Sequence, residues 1–526
     1  MKNEYTIYKI MERISKKIPN KEMFSFPEEK INYTYAEFNN EVKKCAKGLI
    51  SMGVKKGDNI GIWMDNISRW YIIFYASNMI GAKAVPINTS FNKLELNNII
   101  NNFDIKYLFS SNGYKDKYIP IIDNIINENS NIKKVITIGF DNDKAIRYDD
   151  MIKNGNTISD VALDSFKKNT YGKDICIILP TSGTTGFPKG VELTNKQLIK
   201  NGNDIGERYD LGRNDNMLIQ VPMFHCFGIT LSMLSSLTHL SKMTVLSHFN
   251  SDVALKTIED EKITCINGVP TMYRQIINNS NLSKTDISSL TKGIMAGSNC
   301  LPDFIEEVTK ILNMKIISVY GLSEASPGCT MSSVYDKYEK RKNTVGKKLP
   351  SMKCKIVDSK TNKEVKKGEI GEFVVKGYNV MKGYYNNSDE TNKVIDSKGW
   401  LHTGDLARKN KDGYYEITGR IKDMIIRGGE NIYPKEIEMV ISKVNGVVNA
   451  TVFGVDDDVY GQEVVAYVKP EGKLTEDEIR KYMSENCARY KIPKYIEITD
   501  YMPTNKAGKI LVHKMKEHFI ETRLKK

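Results

Sequence analysis

A chain of 526 residues with 40% hydrophobic and 27% charged residues is too long for one core and too apolar for disorder. Roughly two to four domains are expected at this length. The net charge is +13, from 77 basic and 64 acidic residues. Lys and Glu are interspersed, as in KVIDSKGW and KEIEMVISK, which describes a solvated surface. No basic and aromatic stripe appears, so nucleic acid is not an expected partner. A positive field still favours polyanionic ligands.

The N-terminal MKNEYTIYKIMERISKK is charged throughout and has no signal-peptide core. The longest apolar stretch, WYIIFYASNMIGAKAV, is interrupted and shorter than the ~20 residues a membrane span needs. Cysteines at 45, 176, 226, 265, 300, 329, 354 and 487 form no C-x-x-C pair. They read as small buried hydrophobes in a reducing compartment, so a cytoplasmic location is expected.

Along the chain, DICIILP, TSGTTGFPKG and TNKQLIKNGNDIG read as strand, loop and helix. KITCINGV and KIISVYGLSE read as further buried strands, the second running into a loop. Strands alternating with helices predict α/β layers with mainly parallel sheets. The last hundred residues carry a separate pattern. NATVFGVDD and EVVAYVKP are expected strands. A helix lies between Leu474 and Cys487, with a Thr475/Glu478 capping box and Leu474 placed to staple onto Ile479. That makes a small α+β domain, with its boundary near GRIKD at 419–423.

The densest chemical signal is Thr181-Ser182-Gly183-Thr184-Thr185-Gly186-Phe187-Pro188-Lys189-Gly190. Glycines let backbone N–H groups turn toward an anion. Ser182, Thr184 and Thr185 add hydroxyl donors, and Lys189 a cation for phosphate. No Gly-Lys-Ser/Thr follows, so this is not a Walker A loop. Alone, such a segment is equally a flexible turn.

It does not stand alone. PMFHCFG (222–228), MAGSNCLP (295–302), YGLSEASP (320–327), GWLHTGDLA (399–407), GRIKDMIIRGGENIYPKEIE (419–438) and NKAGKI (505–510) follow in order. With the loop, they resemble the signature segments of the adenylate-forming superfamily, which includes acyl-CoA synthetases, 4-coumarate–CoA ligases, peptide-synthetase adenylation domains and firefly luciferases. INYTYAEF and GVKKGDNIGIW near the N-terminus also look like that family.

The resemblance implies an N-terminal domain over 1–419, a hinge at 420–422 and a C-terminal domain over 423–526. The N-terminal part would hold layered α/β sheets with a β-barrel-like subdomain. The C-terminal part would be small, mobile and α+β. The implied ligands are a carboxylic acid, ATP, Mg²⁺ and coenzyme A. A carboxylate attacking the α-phosphate brings like charges together, so the site must neutralise them.

By the same resemblance, Glu324 is the Mg²⁺ ligand and Ser323 contacts the α-phosphate. Tyr320, followed by Gly321, stacks on adenine, with Gly297, Ser298 and Asn299 on its other side. MAGSNCLP departs here from the commoner Gly-Ala-Pro pattern. Asp405 accepts the ribose hydroxyls, and Arg420 reaches the ribose. Lys509 lies between the substrate carboxylate and the α-phosphate. Lys422 occupies the hinge, and Gly428 and Gly429 resemble the turn that the pantetheine arm passes. Each residue has a plainer reading: Glu324 as a loop acid, Lys509 as a solvated cation, Gly428-Gly429 as a turn.

His225 stands where amino-acid-activating relatives of this superfamily usually carry Asp for the substrate ammonium. An α-amino acid is therefore not expected. His225 is either a packed core histidine or a wall of the acyl pocket. Phe227, Met233, Val269, Met272 and Tyr273 either line an acyl tunnel or belong to the core. The segments look most like medium-chain fatty acyl-CoA synthetases, with an aryl acid as the alternative. The competing readings are a ligase that loads a carrier protein, a luciferase-like oxygenase and a non-enzymatic sensor of ATP or acyl-AMP.

Overall fold

The computed structural model describes residues 5–181, 188–298, 300–427, 430–504 and 510–524. The chain packs into two compact units. The first comprises Met1–Lys342, Lys348–Lys353 and Val375–Leu401; the second comprises Asn343–Lys347, Cys354–Val374 and His402–Lys526. The expected boundary at 419–423 lies inside the second unit.

The first unit is layered α/β. One sheet has the order Gly383–Tyr384, Lys189–Thr194, Ile175–Thr181, Lys83–Pro86, Asn59–Trp63, Ile105–Ser111, Lys134–Ile138, Ile146–Arg147. Its strands are parallel from Ile175–Thr181 onward, and the first two pair antiparallel. A second sheet runs from Gly328–Met331 through Lys315–Gly321, Lys292–Met295, Cys265–Gly268, Asn216–Ile219 and Lys242–Val245 to the Glu22–Phe26 and Ile31–Thr34 hairpin. Both expected strands, KITCINGV and KIISVYGLSE, lie at its centre.

Local chemistry places the helices. Asn195–Tyr209 begins on a Thr194/Gln197 capping box. The apolar WYIIFYASNMI stretch forms the Ser68–Ile80 helix, buried on every side, as expected of a helix hydrophobic all round. It stops at Gly81, whose φ of +79° is the left-handed cap that glycine allows. Among the described residues no helix is long and apolar enough to cross a membrane.

Met352–Val357, Ile370–Gly377, Leu401–Lys409 and Tyr415–Arg420, most of whose residues belong to the second unit, form a four-stranded sheet in that order. A five-stranded sheet follows, centred on the long Val447–Asp457/Gly461–Pro470 hairpin. Tyr495–Ile498 joins it in parallel. Thr475 and Glu478 close the expected capping box on the Glu476–Asn486 helix, and Leu474 packs into the same apolar cluster as Ile479.

Candidate active site

The glycine-rich segment connects two paired strands. Thr181 and Lys189 are cross-strand partners, and Thr181 Oγ1 donates to the Lys189 carbonyl at 3.2 Å. The two ends of the loop are thereby pinned together. Ser182, Gly183, Thr184 and Thr185 lie outside the described residues. Gly190 is forced: a Cβ there would sit 2.5 Å from Phe103 Cε1. Lys189 Nζ is ion-paired with Glu390 and stands 5.1 Å from the Tyr384 ring centroid. The hydrogen bond from Lys189, joined by one from Lys393, holds the Glu390 carboxyl down to about 2.

Lys315–Gly321 delivers Tyr320 and Gly321 to the start of the Ser323–Ala325 turn. Tyr320 is buried. A Cβ on Gly321 would lie 1.8 Å from the Pro327 carbonyl oxygen, so only glycine fits. Ser323 Oγ is 3.7 Å from the Cys226 sulfur, whose thiol burial pushes up to about 11. Glu324 Oε1 accepts a hydrogen bond from the Tyr384 hydroxyl at 2.8 Å. Burial first, then the Glu324 charge, raises the Tyr384 phenol above its usual range and keeps it a donor.

Glu324 is suited to Mg²⁺ held jointly with a nucleotide. Among the described residues no group of three His, Cys, Asp or Glu side chains is arranged to hold a metal. Mg²⁺ typically takes one or two carboxylates, keeps several waters and shares the substrate phosphates. A single carboxylate, linked through Tyr384 to the Lys189 ammonium, is compatible with that habit.

Gly297 has φ +87°, and a Cβ there would come within 3.1 Å of Val269 Cγ1 and 3.8 Å of Phe227 Cδ1. The structure thus gathers Gly297, Val269 and Phe227. Ser298 is exposed beside them, and Asn299 lies outside the described residues. Tyr273 belongs to the core instead: fully buried, its hydroxyl reaches the Ile266 and Ile294 carbonyls at 2.9 and 3.1 Å. Met233 is fully buried in a π-helix, Phe227–Leu234. His225 is exposed, with its ring tilted at 51° to that of Phe224 and centroids 4.6 Å apart, so it is not a packed core histidine.

In the second unit, Asp405 and Arg420 are cross-strand partners, joined from Nε to Oδ1 at 3.1 Å. Asp405 is 8% exposed, whereas the Arg420 side chain is 48% exposed. Buried Glu372 shapes the turn before Asp405: it accepts the Gly404 N–H at 2.9 Å and pairs with His402 Nδ1 at 2.8 Å. Lys422 is exposed in the one-turn Ile421–Asp423 segment. Gly428, Gly429 and Lys509 lie outside the described residues. Before the two glycines, Arg427 is fixed by buried Glu463 at 2.9 Å and by the Tyr490 and Ile492 carbonyls.

Sequence reasoning missed Tyr384, Glu390, Glu372 and Glu463. The first two sit in a stretch, GYYNNSDET, whose Asn387/Glu390 helix-start spacing the sequence reading passed over. Glu372 and Glu463 read in sequence as ordinary strand acids.

The chain matches the model of the AMP-binding enzyme family over residues 11–385 and that of the AMP-binding enzyme C-terminal domain over 436–509. It belongs to the AMP-binding enzyme family. Putative acyl-CoA synthetase YngI of Bacillus subtilis is 39% identical, covering 98% of this chain and 97% of its own. Acyl-CoA ligase sidI of Aspergillus fumigatus is 35% identical over 90% of this chain and 83% of its own. Human mitochondrial medium-chain acyl-CoA ligase ACSF2 is 31% identical over 98% of this chain and 88% of its own. Among solved structures, ATP-bound MatB of Rhodopseudomonas palustris superposes with a TM-score of 0.84 at 25% identity, covering 97% of this chain and 99% of its own. The anthranilate CoA ligase AuaEII, in complex with anthranoyl-AMP, shares the fold at TM-score 0.88 and 23% identity, over 98% of each chain. The family match embraces the glycine-rich loop, Glu324 and Tyr384, and its C-terminal part ends on Lys509.

Proposed function

We propose that the chain is an ATP-dependent acyl-CoA ligase whose favoured acid is a medium-chain fatty acid. The observation that carries the reading is the joining of Lys189 and Glu324 through Tyr384 at the mouth of the glycine-rich loop. A cation for polyphosphate and a carboxylate for its Mg²⁺ are what adenylation requires at one spot.

In the first half-reaction a carboxylate oxygen of the acid bonds to the α-phosphorus of ATP, and pyrophosphate leaves. Thr181, Ser182, Gly183, Thr184, Thr185 and Lys189 cradle the departing phosphates. Tyr320, with Gly321, Gly297, Ser298 and Asn299 around it, takes the adenine. Asp405 takes the ribose hydroxyls; a carboxylate has capacity for both alongside Arg420. Ser323 contacts the α-phosphate, and Lys509 offsets the charge between acid and α-phosphate. Glu324 would hold Mg²⁺, which would supply further charge neutralisation.

In the second half-reaction the thiol sulfur of coenzyme A bonds to the acyl carbon, and AMP leaves. The reading includes a rotation about Lys422 that withdraws Lys509 and brings Gly428 and Gly429 to the pantetheine arm. In this reading the acid pocket is walled by Phe227 and Val269 around Gly297, with exposed His225 two residues before Phe227 in the chain. The apolar character of that wall and the medium-chain ligases among the relatives support a fatty acid. A cytoplasmic location goes with this reading, since Cys45, Cys176 and Cys265 are buried thiols of the kind a reducing compartment preserves.

The test is pyrophosphate release with a panel of aliphatic and aryl acids, followed by coenzyme A and a mass measurement of the product. A thioester on a medium-chain acid is the expected result. Release without a thioester would move the acceptor to a carrier protein, and no release with any acid would sink the reading.

A further inference from the structure

Residues 379–394 run as a strap in the first unit, tied by hydrogen bonds to the Glu324–Ser326 turn on one side and to the Lys189–Thr194 strand on the other. On one side, Ser326 Oγ donates to the Asn379 carbonyl at 2.6 Å, Asn379 Nδ2 donates to the Ala325 carbonyl at 3.2 Å, and the Met381 N–H donates to the Glu324 carbonyl at 2.8 Å. On the other, the Lys382 N–H reaches the Glu192 carbonyl at 3.0 Å and the Tyr385 N–H reaches the Gly190 carbonyl at 2.7 Å. Gly383 and Tyr384 pair with Glu192 and Val191 as an added edge strand. The strap therefore grips the turn that carries Glu324 and the strand that begins with Lys189.

Its side chains continue the same pattern. Tyr384 places its ring under Lys189 Nζ and its hydroxyl on Glu324. Glu390 gives Oε2 to Lys189 and Oε1 to Lys393. Glu390 is itself fixed, because its N–H donates to the Asn387 side chain at 3.1 Å in the first turn of the Ser388–Val394 helix. Thr391 Oγ1, one residue on, accepts the Tyr384 N–H at 2.8 Å.

We propose that the strap is the positioning element of the phosphate site, with Glu390 orienting Lys189 and Tyr384 orienting Glu324. This rests on the reading of Lys189 as a phosphate ligand and Glu324 as the Mg²⁺ ligand. A lysine ammonium has three donors on a flexible stem. Glu390 occupies one donor and the Tyr384 ring lies beneath, which narrows the directions left for polyphosphate. A tyrosine hydroxyl that donates to one Glu324 oxygen leaves the carboxylate in a single orientation.

The experiment is equilibrium binding of a non-hydrolysable ATP analogue to the full chain, with and without Mg²⁺, by calorimetry. It needs neither acid nor coenzyme A, so it stays interpretable if the acyl-CoA reading fails. Glu390→Ala is expected to weaken binding about tenfold, a typical coupling for groups in one network. Glu390→Gln keeps an acceptor and should bind within about threefold of the parent. In a Lys189→Ala background, Glu390→Ala should change nothing further. Tyr384→Phe should leave Mg²⁺-free binding unaltered and raise the Mg²⁺ concentration needed for half-maximal enhancement about fivefold. Independent, multiplying effects of Glu390→Ala and Lys189→Ala would overturn the proposal. So would failure of Glu390→Gln to restore binding in a protein with the parent melting temperature.

Discussion

The Lys189–Glu390 cluster of the first unit and the Asp405 hairpin of the second reach a similar arrangement, a carboxylate beside a cation, by opposite routes. Asp405 and Arg420 face each other across one antiparallel pair, so strand register alone makes the contact. Lys189 and Glu390 are 201 residues apart in sequence, and Tyr384 and Glu324 are 60 apart. Only the folded first unit brings those four together. A local pair fails one residue at a time, whereas a network of distant residues fails as a unit.

The largest effect expected from this contrast is at Glu324. Glu324→Gln keeps the acceptor for Tyr384 but removes the charge. Acid-dependent exchange of pyrophosphate into ATP should fall on the order of 10²–10³-fold, as when one preorganised electrostatic group is lost. Asp405→Asn should not reduce turnover at saturating ATP to that extent. Equal losses in the two variants would erase the distinction between the regions.

Next comes the exit from the hairpin. Proline at 422 fixes φ near −65° and removes a backbone donor. Lys422→Pro should spare pyrophosphate exchange and suppress thioester turnover by at least about tenfold, with acyl-AMP accumulating. Normal thioester turnover in a folded variant would sink the rotation. A variant that loses both half-reactions and melts early would show a damaged turn instead.

Asp405→Ala acts on binding. Each charge-assisted hydrogen bond lost to the ribose costs about 1.5–3 kcal/mol. Loss of even one such bond should raise the ATP dissociation constant between about tenfold and 150-fold. An unchanged constant, measured by calorimetry, counts decisively against the assignment.

The same contrast explains what was legible in the sequence. The layered fold followed from strands alternating with helices, whereas the apolar WYIIFYASNMI stretch was read only as too short to span a membrane, and its buried Ser68–Ile80 helix emerged with the structure. The Glu476–Asn486 helix followed from a cap written within four residues. Asp405 and Arg420 sat in motifs, and their contact was one register away. Glu390 was invisible because its partner is on a strand of the far half of the chain, and an acid in a polar run has no periodicity to betray burial. Glu372 and Glu463 were hidden for a related reason. A buried acid in a strand is recognisable only once its cation or N–H donors arrive from elsewhere. Tyr273, expected to line a tunnel or fill the core, fills the core because two strand carbonyls claim its hydroxyl.

Arg420→Gln should be milder. The Arg420 side chain is 48% exposed, and exposed ion pairs contribute about 0–1 kcal/mol. The Michaelis constant for ATP should rise no more than about fivefold. A loss matching that of Asp405→Ala would mean that Arg420 holds the ribose as firmly as Asp405 does.

The smallest effect concerns pH at Glu390, and it separates an ion pair from a plain hydrogen bond. The Lys189 hydrogen bond, with Lys393 second, holds the Glu390 carboxyl down to about 2. A carboxyl lowered in the folded state contributes stabilisation that is fully present above its ordinary value of 4.5 and is lost as pH falls through about 2. Across pH 5–8 Glu390 therefore stays ionised and Lys189 keeps its partner. Binding of the ATP analogue to both parent and Glu390→Gln will vary with pH, because the analogue's own phosphates titrate. The ratio of the two dissociation constants cancels that term. It should be flat from pH 8 to 5, and change only on the acid side as the parent carboxylate gains its proton and comes to resemble the amide. A ratio that instead changes as pH falls from about 5.5 to 3.5 would show Glu390 titrating near its ordinary value of 4.5, with Lys189 not holding it. That outcome would make the phosphate end as loosely coupled as an exposed surface pair.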